Sequence, residues 1–140
     1  MEYVIKNDKG IIRLDKGDEL FSSLKKFAVD NDVRCASIQG IGATDDLTIG
    51  VYDLNKGEYV KRHILGNREI LSLSGNLTMM NGEHYVHVHI LTQGQEEFAI
   101  GGHLFNANIS MTAEIFVDLI DYDLQREFNN EVKINTLLLK

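Results

Sequence analysis

With 140 residues the chain has the length of one domain, 1–140, and its 44% apolar and 25% charged residues suit a single buried core, which excludes a disordered or low-complexity protein. Fourteen Lys and Arg against twenty-one Asp and Glu leave a net charge of −7, which disfavours nucleic acid and anionic lipid as partners. One cysteine, Cys35, excludes an intrachain disulfide framework and any multi-cysteine metal site. Together with the lack of a leader-like or membrane-spanning apolar stretch, it predicts a cytoplasmic protein with no membrane association.

In chain order, strand-like runs rich in Val, Ile, Thr and Tyr alternate with turn signals and predict a mainly antiparallel sheet. The first turn signal is Asn7-Asp8-Lys9-Gly10. Leu20, Leu24, Phe27 and Ala28 then fall on one helical face, with Lys25 and Lys26 turned away, so an amphipathic helix is predicted between Asp18 and Asp30. Asp15 or Asp18 is the expected cap of its first turn. Cys35 lies in an apolar run with no histidine nearby and reads as a small buried residue rather than a nucleophile.

Gly40-Ile41-Gly42 resembles the start of a dinucleotide-binding turn. It lacks the third glycine, and the alternating run Leu47–Tyr52 after it is a strand and not the helix that would hold a pyrophosphate. Turns follow at Asn55-Lys56-Gly57 and at Asn81-Gly82, the latter the clearest hairpin signal. Between them Lys61-Arg62-His63 reads as a solvated strand end. Gln93-Gly94 and Asn106-Ala107-Asn108 mark two further turns. From Met111 to Asp121, Met111, Ala113, Ile115, Val117 and Leu119 alternate with Thr112, Glu114, Phe116 and Asp118, which predicts a strand with the first set in the core. The polar DYDLQREFNNE run and a last strand in INTLLLK close the chain, the latter with an apolar face for the core or for another subunit.

The chief chemical signal is four histidines between positions 84 and 103. After Gly82, Val86, Val88 and Ile90 share one face of a strand, and His87 and His89 share the other with Tyr85 and Leu91. Two imidazoles two residues apart on a strand can bind one metal ion. His103, one hairpin away and preceded by Gly101 and Gly102 where close approach removes side-chain bulk, is the candidate third ligand. His84 has the opposite parity and reads as a turn or surface residue. Three nitrogens on Zn²⁺ leave a position for water, which allows hydrolysis or hydration, and Glu114 is a candidate second-sphere group or base.

The ordered segments GIGATDDLTIGVYD, EILSLSGNLTMMNG, VHVHI, GGHL and TAEIFVDL, from about Asp15 to about Leu119, resemble the PPC domain, the plant and prokaryote conserved family. The resemblance implies an α+β fold, a mainly antiparallel sheet with helix packed on it, and a homotrimer. It also places His87, His89 and His103 at the family's histidine positions, where some prokaryotic members hold a metal. The chain has no R-G-R-P core, no basic arm and no proline, and a trimer would triple its charge of −7, so the DNA-binding role attached to plant members is not expected. The reading is a stand-alone, trimeric, three-histidine metal-binding module, with a small-molecule ligand and a divalent transition metal such as zinc as its partners. One alternative is a metal-dependent, hydrolase-like enzyme. Gly82, His87, His89, Glu96 and His103 also resemble a cupin arrangement, at spacings that do not match it.

Overall fold

The computed structural model describes residues 1–96 and 98–139. Among these, one helix and eight strands follow in the order β1 (Glu2–Lys6), β2 (Lys9–Asp15), α1 (Leu20–Asp30), β3 (Ala36–Asp53), β4 (Glu58–Met80), β5 (Glu83–Gln93), β6 (Ile100–Leu119), β7 (Gln125–Asn129) and β8 (Ile134–Leu138).

Short polar turns set the hairpins. Asn7 and Asp8 join β1 to β2, with Asn7 at φ 55°, while Lys9 and Gly10 already belong to β2. Asp53 Oδ1 accepts from the amides of Asn55 and Lys56 and closes the β3–β4 turn. Asn81 and Gly82, at φ 52° and 82°, form the two-residue connection between β4 and β5, the left-handed pair that matches strand twist. The triplet Asn106-Ala107-Asn108 makes no turn: it lies inside β6, with Ala107 buried. Its turn-forming side chains are overridden by pairing with Leu47 and Thr48 of β3.

β3, β4, β5 and β6 each pair with two of the other three strands, so the ladder closes on itself; β2 extends it through β6. All these pairings are antiparallel. β7 joins β4 through a single parallel bridge, Met79 to Gln125, and pairs in full only with β8. Leu20, Leu24, Phe27 and Ala28 of α1 are buried in one cluster with Leu14, Leu77, Val88, Ile109 and Ile115. Burial of this apolar surface is the main stabilising term.

Two local expectations are corrected. The helix cap is Glu19, whose carboxylate accepts from the amides of Phe21 and Ser22, and not Asp15 or Asp18. Asp18 Oδ2 instead accepts from the Asp15 amide, one turn too early to reach the helix. Met111 is 69% exposed although Ala113, Ile115 and Val117 are buried as their alternation predicts. A register shift between Gly42 and Thr44 opposite this stretch of β6 inverts the side-chain parity at Ser110 and Met111. No helix among the described residues is long and apolar enough to cross a membrane.

Candidate metal centre

The strand register brings three histidines together. His87 and His89 lie on the same face of β5, opposite Asn76 and Ser74 of β4. His89 is also the register partner of His103 on β6. Backbone contact at this junction is close: a Cβ on Gly101 would lie 2.5 Å from the Ile90 carbonyl oxygen, and one on Gly102 would lie 2.8 Å from that of Gly50. Glycine is therefore the residue that lets β6 approach β5 and β3 and set His103 in place.

One nitrogen from each of His87, His89 and His103 can be chosen so that all three lie within 4.8 Å of one another. Ring centroids are 5.2 Å apart for His87 and His89, 5.1 Å for His87 and His103, and 5.6 Å for His89 and His103. His103 stacks on Tyr59 at 4.8 Å and meets the edge of Phe105 at 4.9 Å. Its Nδ1 is enclosed and has no hydrogen-bond partner among the described residues. Three imidazoles with ligand atoms this close, one of them carrying an unpartnered nitrogen, are a donor set that suits a borderline transition metal.

The electrostatics favour neutral, ligand-competent rings. Burial, then the neighbouring His87 and His89, then Lys61 push His103 down to about 4. Burial followed by the Arg126 guanidinium and His89 also lowers His87. Both are therefore uncharged near neutral pH, the form in which imidazole offers a lone pair.

Arg126, in the run read only as acidic and polar, was not singled out by the sequence, yet it belongs to this site. The β7–β8 hairpin carries it back against β4 and β5, where it is 7% exposed. Its Nε donates to Thr78 Oγ1 at 2.9 Å and its Nη1 to the Asn135 carbonyl at 3.1 Å. Nη2 donates to Asn76 Oδ1 at 2.8 Å and lies 3.3 Å from His87 Nδ1. The Tyr85 ring lies under the guanidinium, 4.9 Å from its centre. A cleft of about 330 Å³ opens beside it, with His87, His103, Tyr59, Phe105 and Arg126 in its wall.

The remaining candidates lie elsewhere. Glu114 is the register partner of Arg13 and Ile41, eleven positions along β6 from His103, and is not brought together with the three histidines within the chain. Glu96 pairs with Arg68 beyond the end of β5, which removes the cupin-like set. His84 is half-buried on the core-side parity of Val86 and Val88, its Nε2 enclosed without a partner among the described residues, and is not a surface residue. Lys61, Arg62 and His63 are exposed, with His63 Nε2 2.7 Å from Asp46 Oδ1. Cys35 is buried, which pushes its thiol up and away from nucleophile chemistry.

Residues 2–121 match the Plants and Prokaryotes Conserved (PCC) domain. Among solved structures, a metal-containing protein from Archaeoglobus fulgidus is 34% identical, with 99% of this chain and 97% of that one covered and a TM-score of 0.88. A plant- and prokaryote-conserved (PPC) protein from Pyrococcus horikoshii is 28% identical over 99% of this chain and 96% of its own, at a TM-score of 0.86. A protein from Bacteroides thetaiotaomicron, provisionally described as DNA-binding, is 26% identical over 97% and 95%, at 0.93. No curated protein matches. The chain belongs to the Plants and Prokaryotes Conserved domain family.

Proposed function

We propose that this member of the Plants and Prokaryotes Conserved domain family is a cytosolic, homotrimeric binding or regulatory module built on a divalent transition-metal centre, with zinc as the natural occupant. The observation that carries the reading is the meeting of His87, His89 and His103 with ligand atoms within 4.8 Å of one another, together with the unpartnered Nδ1 of His103. The relative from Archaeoglobus, described as metal-containing at 34% identity, supports it. When bound, the ion supplies Lewis acidity. The chain's own residues orient it: Tyr59 and Phe105 hold the His103 ring, and the Gly101-Gly102 backbone fixes the depth of that ring.

The cleft next to the histidines supports a second reading, a hydrolase-like enzyme acting on a small molecule. A DNA-binding role, the provisional description of the Bacteroides relative, is opposed by the net charge of −7. Trimer formation is supported by an exposed apolar strip on the outer face of β3, β4 and β6 that includes Ile41, Leu71, Met111 and Phe116.

Elemental mass spectrometry on untagged protein tests the metal centre. About one transition-metal ion per chain is expected, lost in His87→Ala and His103→Ala; no metal after reconstitution refutes it. Turnover of ester, phosphoester or carbonyl substrates that disappears with the metal would favour the enzyme over the module. Retention on duplex DNA at low salt would restore the DNA-binding role.

A further inference from the structure

The contact between Arg126 and His87 is incompatible with a metal on His87, whichever ring nitrogen binds it. A guanidinium only donates, so His87 Nδ1, 3.3 Å from Nη2, is the acceptor, and the proton of the neutral ring then sits on Nε2. Coordination through Nδ1 requires its lone pair; coordination through Nε2 requires a proton on Nδ1, facing an N–H. Either route ends the contact between Arg126 and His87. The other anchors of the guanidinium, Thr78 Oγ1, the Asn135 carbonyl and Asn76 Oδ1, involve neither histidine nor the metal and hold it beside the cleft.

The charges point the same way. Arg126 is nine-tenths buried and remains cationic at neutral pH, yet no carboxylate among the described residues lies within 4 Å of it. Of its five N–H donors, four have the partners named above. A divalent ion on three neutral imidazoles adds further positive charge to the same half-buried wall, where no carboxylate among the described residues pairs with the guanidinium. The one carboxylate among the described lining residues of the cleft is Glu58, which is exposed and shares the lining with the exposed Lys133.

We infer that Arg126 is an anion-binding residue of the metal-loaded site: released from His87, its N–H groups hold the carboxylate of a small-molecule ligand in the cleft between Arg126 and the histidines. Planar carboxylate is the class that fits a guanidinium edge, and the aromatic wall admits an apolar substituent. The inference rests on the metal-centre reading and adds the ligand class to it.

Cobalt(II) titration followed by visible absorption, then acetate titration of each cobalt-loaded protein, tests it on wild type, Arg126→Met and Arg126→Lys. Arg126→Met takes up cobalt at least as tightly as wild type, because the donor competing for His87 is gone. It binds acetate on the order of tenfold more weakly, with Arg126→Lys intermediate. Acetate affinity equal in wild type and Arg126→Met, or weaker cobalt binding in that variant, overturns the inference while leaving the metal centre standing. Wild type that takes up no cobalt overturns both. If Arg126→Met fails to fold by circular dichroism, Arg126→Lys decides: acetate several-fold weaker supports the inference, and unchanged acetate affinity overturns it.

Discussion

His89 and His103 are register partners across the β5–β6 ladder, their ring centroids 5.6 Å apart, so a single strand pairing supplies two of the three candidate ligands. Removing either, or His87, leaves two nitrogens. Each alanine variant is expected to lower zinc affinity by at least about 100-fold while its melting temperature in chelator stays near that of wild type. Chelator-competition titration and thermal melts of the same samples separate loss of a ligand from loss of the fold.

Gly75 sits between the two β4 residues that face His89 and His87. A Cβ there would lie 2.0 Å from the His87 carbonyl oxygen and 2.6 Å from Val88 Cγ1, so β5 would have to move outward. Gly75→Ala is expected to destabilise the protein by about 2 kcal/mol and to weaken metal binding together with stability. Urea unfolding and zinc titration read the two effects; an unchanged midpoint contradicts the close approach.

The Glu19 carboxylate caps α1 through Phe21 and Ser22 and also reaches the Ala107 amide at 3.5 Å. Glu19→Ala is expected to cost about 1 kcal/mol, visible as a melting temperature lower by about 3 °C. Asp15→Ala, which leaves that cap intact, is the control.

His103 makes the metal-free protein sensitive to acid. Its folded value of about 4 lies below the unfolded value of 6.5, so between the two the unfolded chain binds the extra proton. Stability therefore falls as pH drops from about 7 to about 4.5 and is recovered on returning to neutrality. After allowance for partial solvent screening, the His103 contribution is on the order of 1 kcal/mol. Denaturant melts in chelator at both pH values are expected to show a smaller difference in His103→Ala than in wild type.

The apolar strip through Leu71 and Met111 is expected to lie between subunits. Light scattering of wild type should return three chain masses, and Leu71→Glu with Met111→Glu should return one, without loss of the far-ultraviolet spectrum. A single chain mass for wild type removes the trimer.

Features that depend on local periodicity were legible in the sequence. The parity of His87 and His89, the Asn81-Gly82 turn and the apolar face of α1 each require only a period of two or 3.6 and one turn preference. What could not be read depends on contacts distant along the chain. Arg126 reaches His87 across thirty-nine positions, through a hairpin that meets the main ladder at one bridge, and no spacing rule anticipates that approach. Met111 lies outside the core because a bulge in β6, where Ser110, Met111 and Thr112 oppose the single residue Ala43 of β3, resets its parity, and Glu114 was a candidate only because it faces the polar side of its own strand. Glu19 displaced the shorter Asp residues as cap because the helix begins one residue after it.

The unequal tethering of the two halves of the cleft sets an order of opening. β5 is hydrogen-bonded on both sides from His89 to Thr92, so its amides there are freed only when the closed ladder itself comes apart. β7 and β8 hold to the rest through one bridge, the side chain of Arg126 and two long hydrogen bonds, Asn135 Nδ2 to Tyr85 Oη at 3.3 Å and Tyr52 Oη to the Lys133 carbonyl at 3.4 Å, so that hairpin is expected to unlatch at a lower free energy. In deuterium exchange the histidine strand should belong to the slowest-exchanging unit and the hairpin to a fast one. The molecule can thus expose His87 and His103, the two partly covered imidazoles, to solvent or to an arriving ion by releasing the arginine side alone and without unfolding.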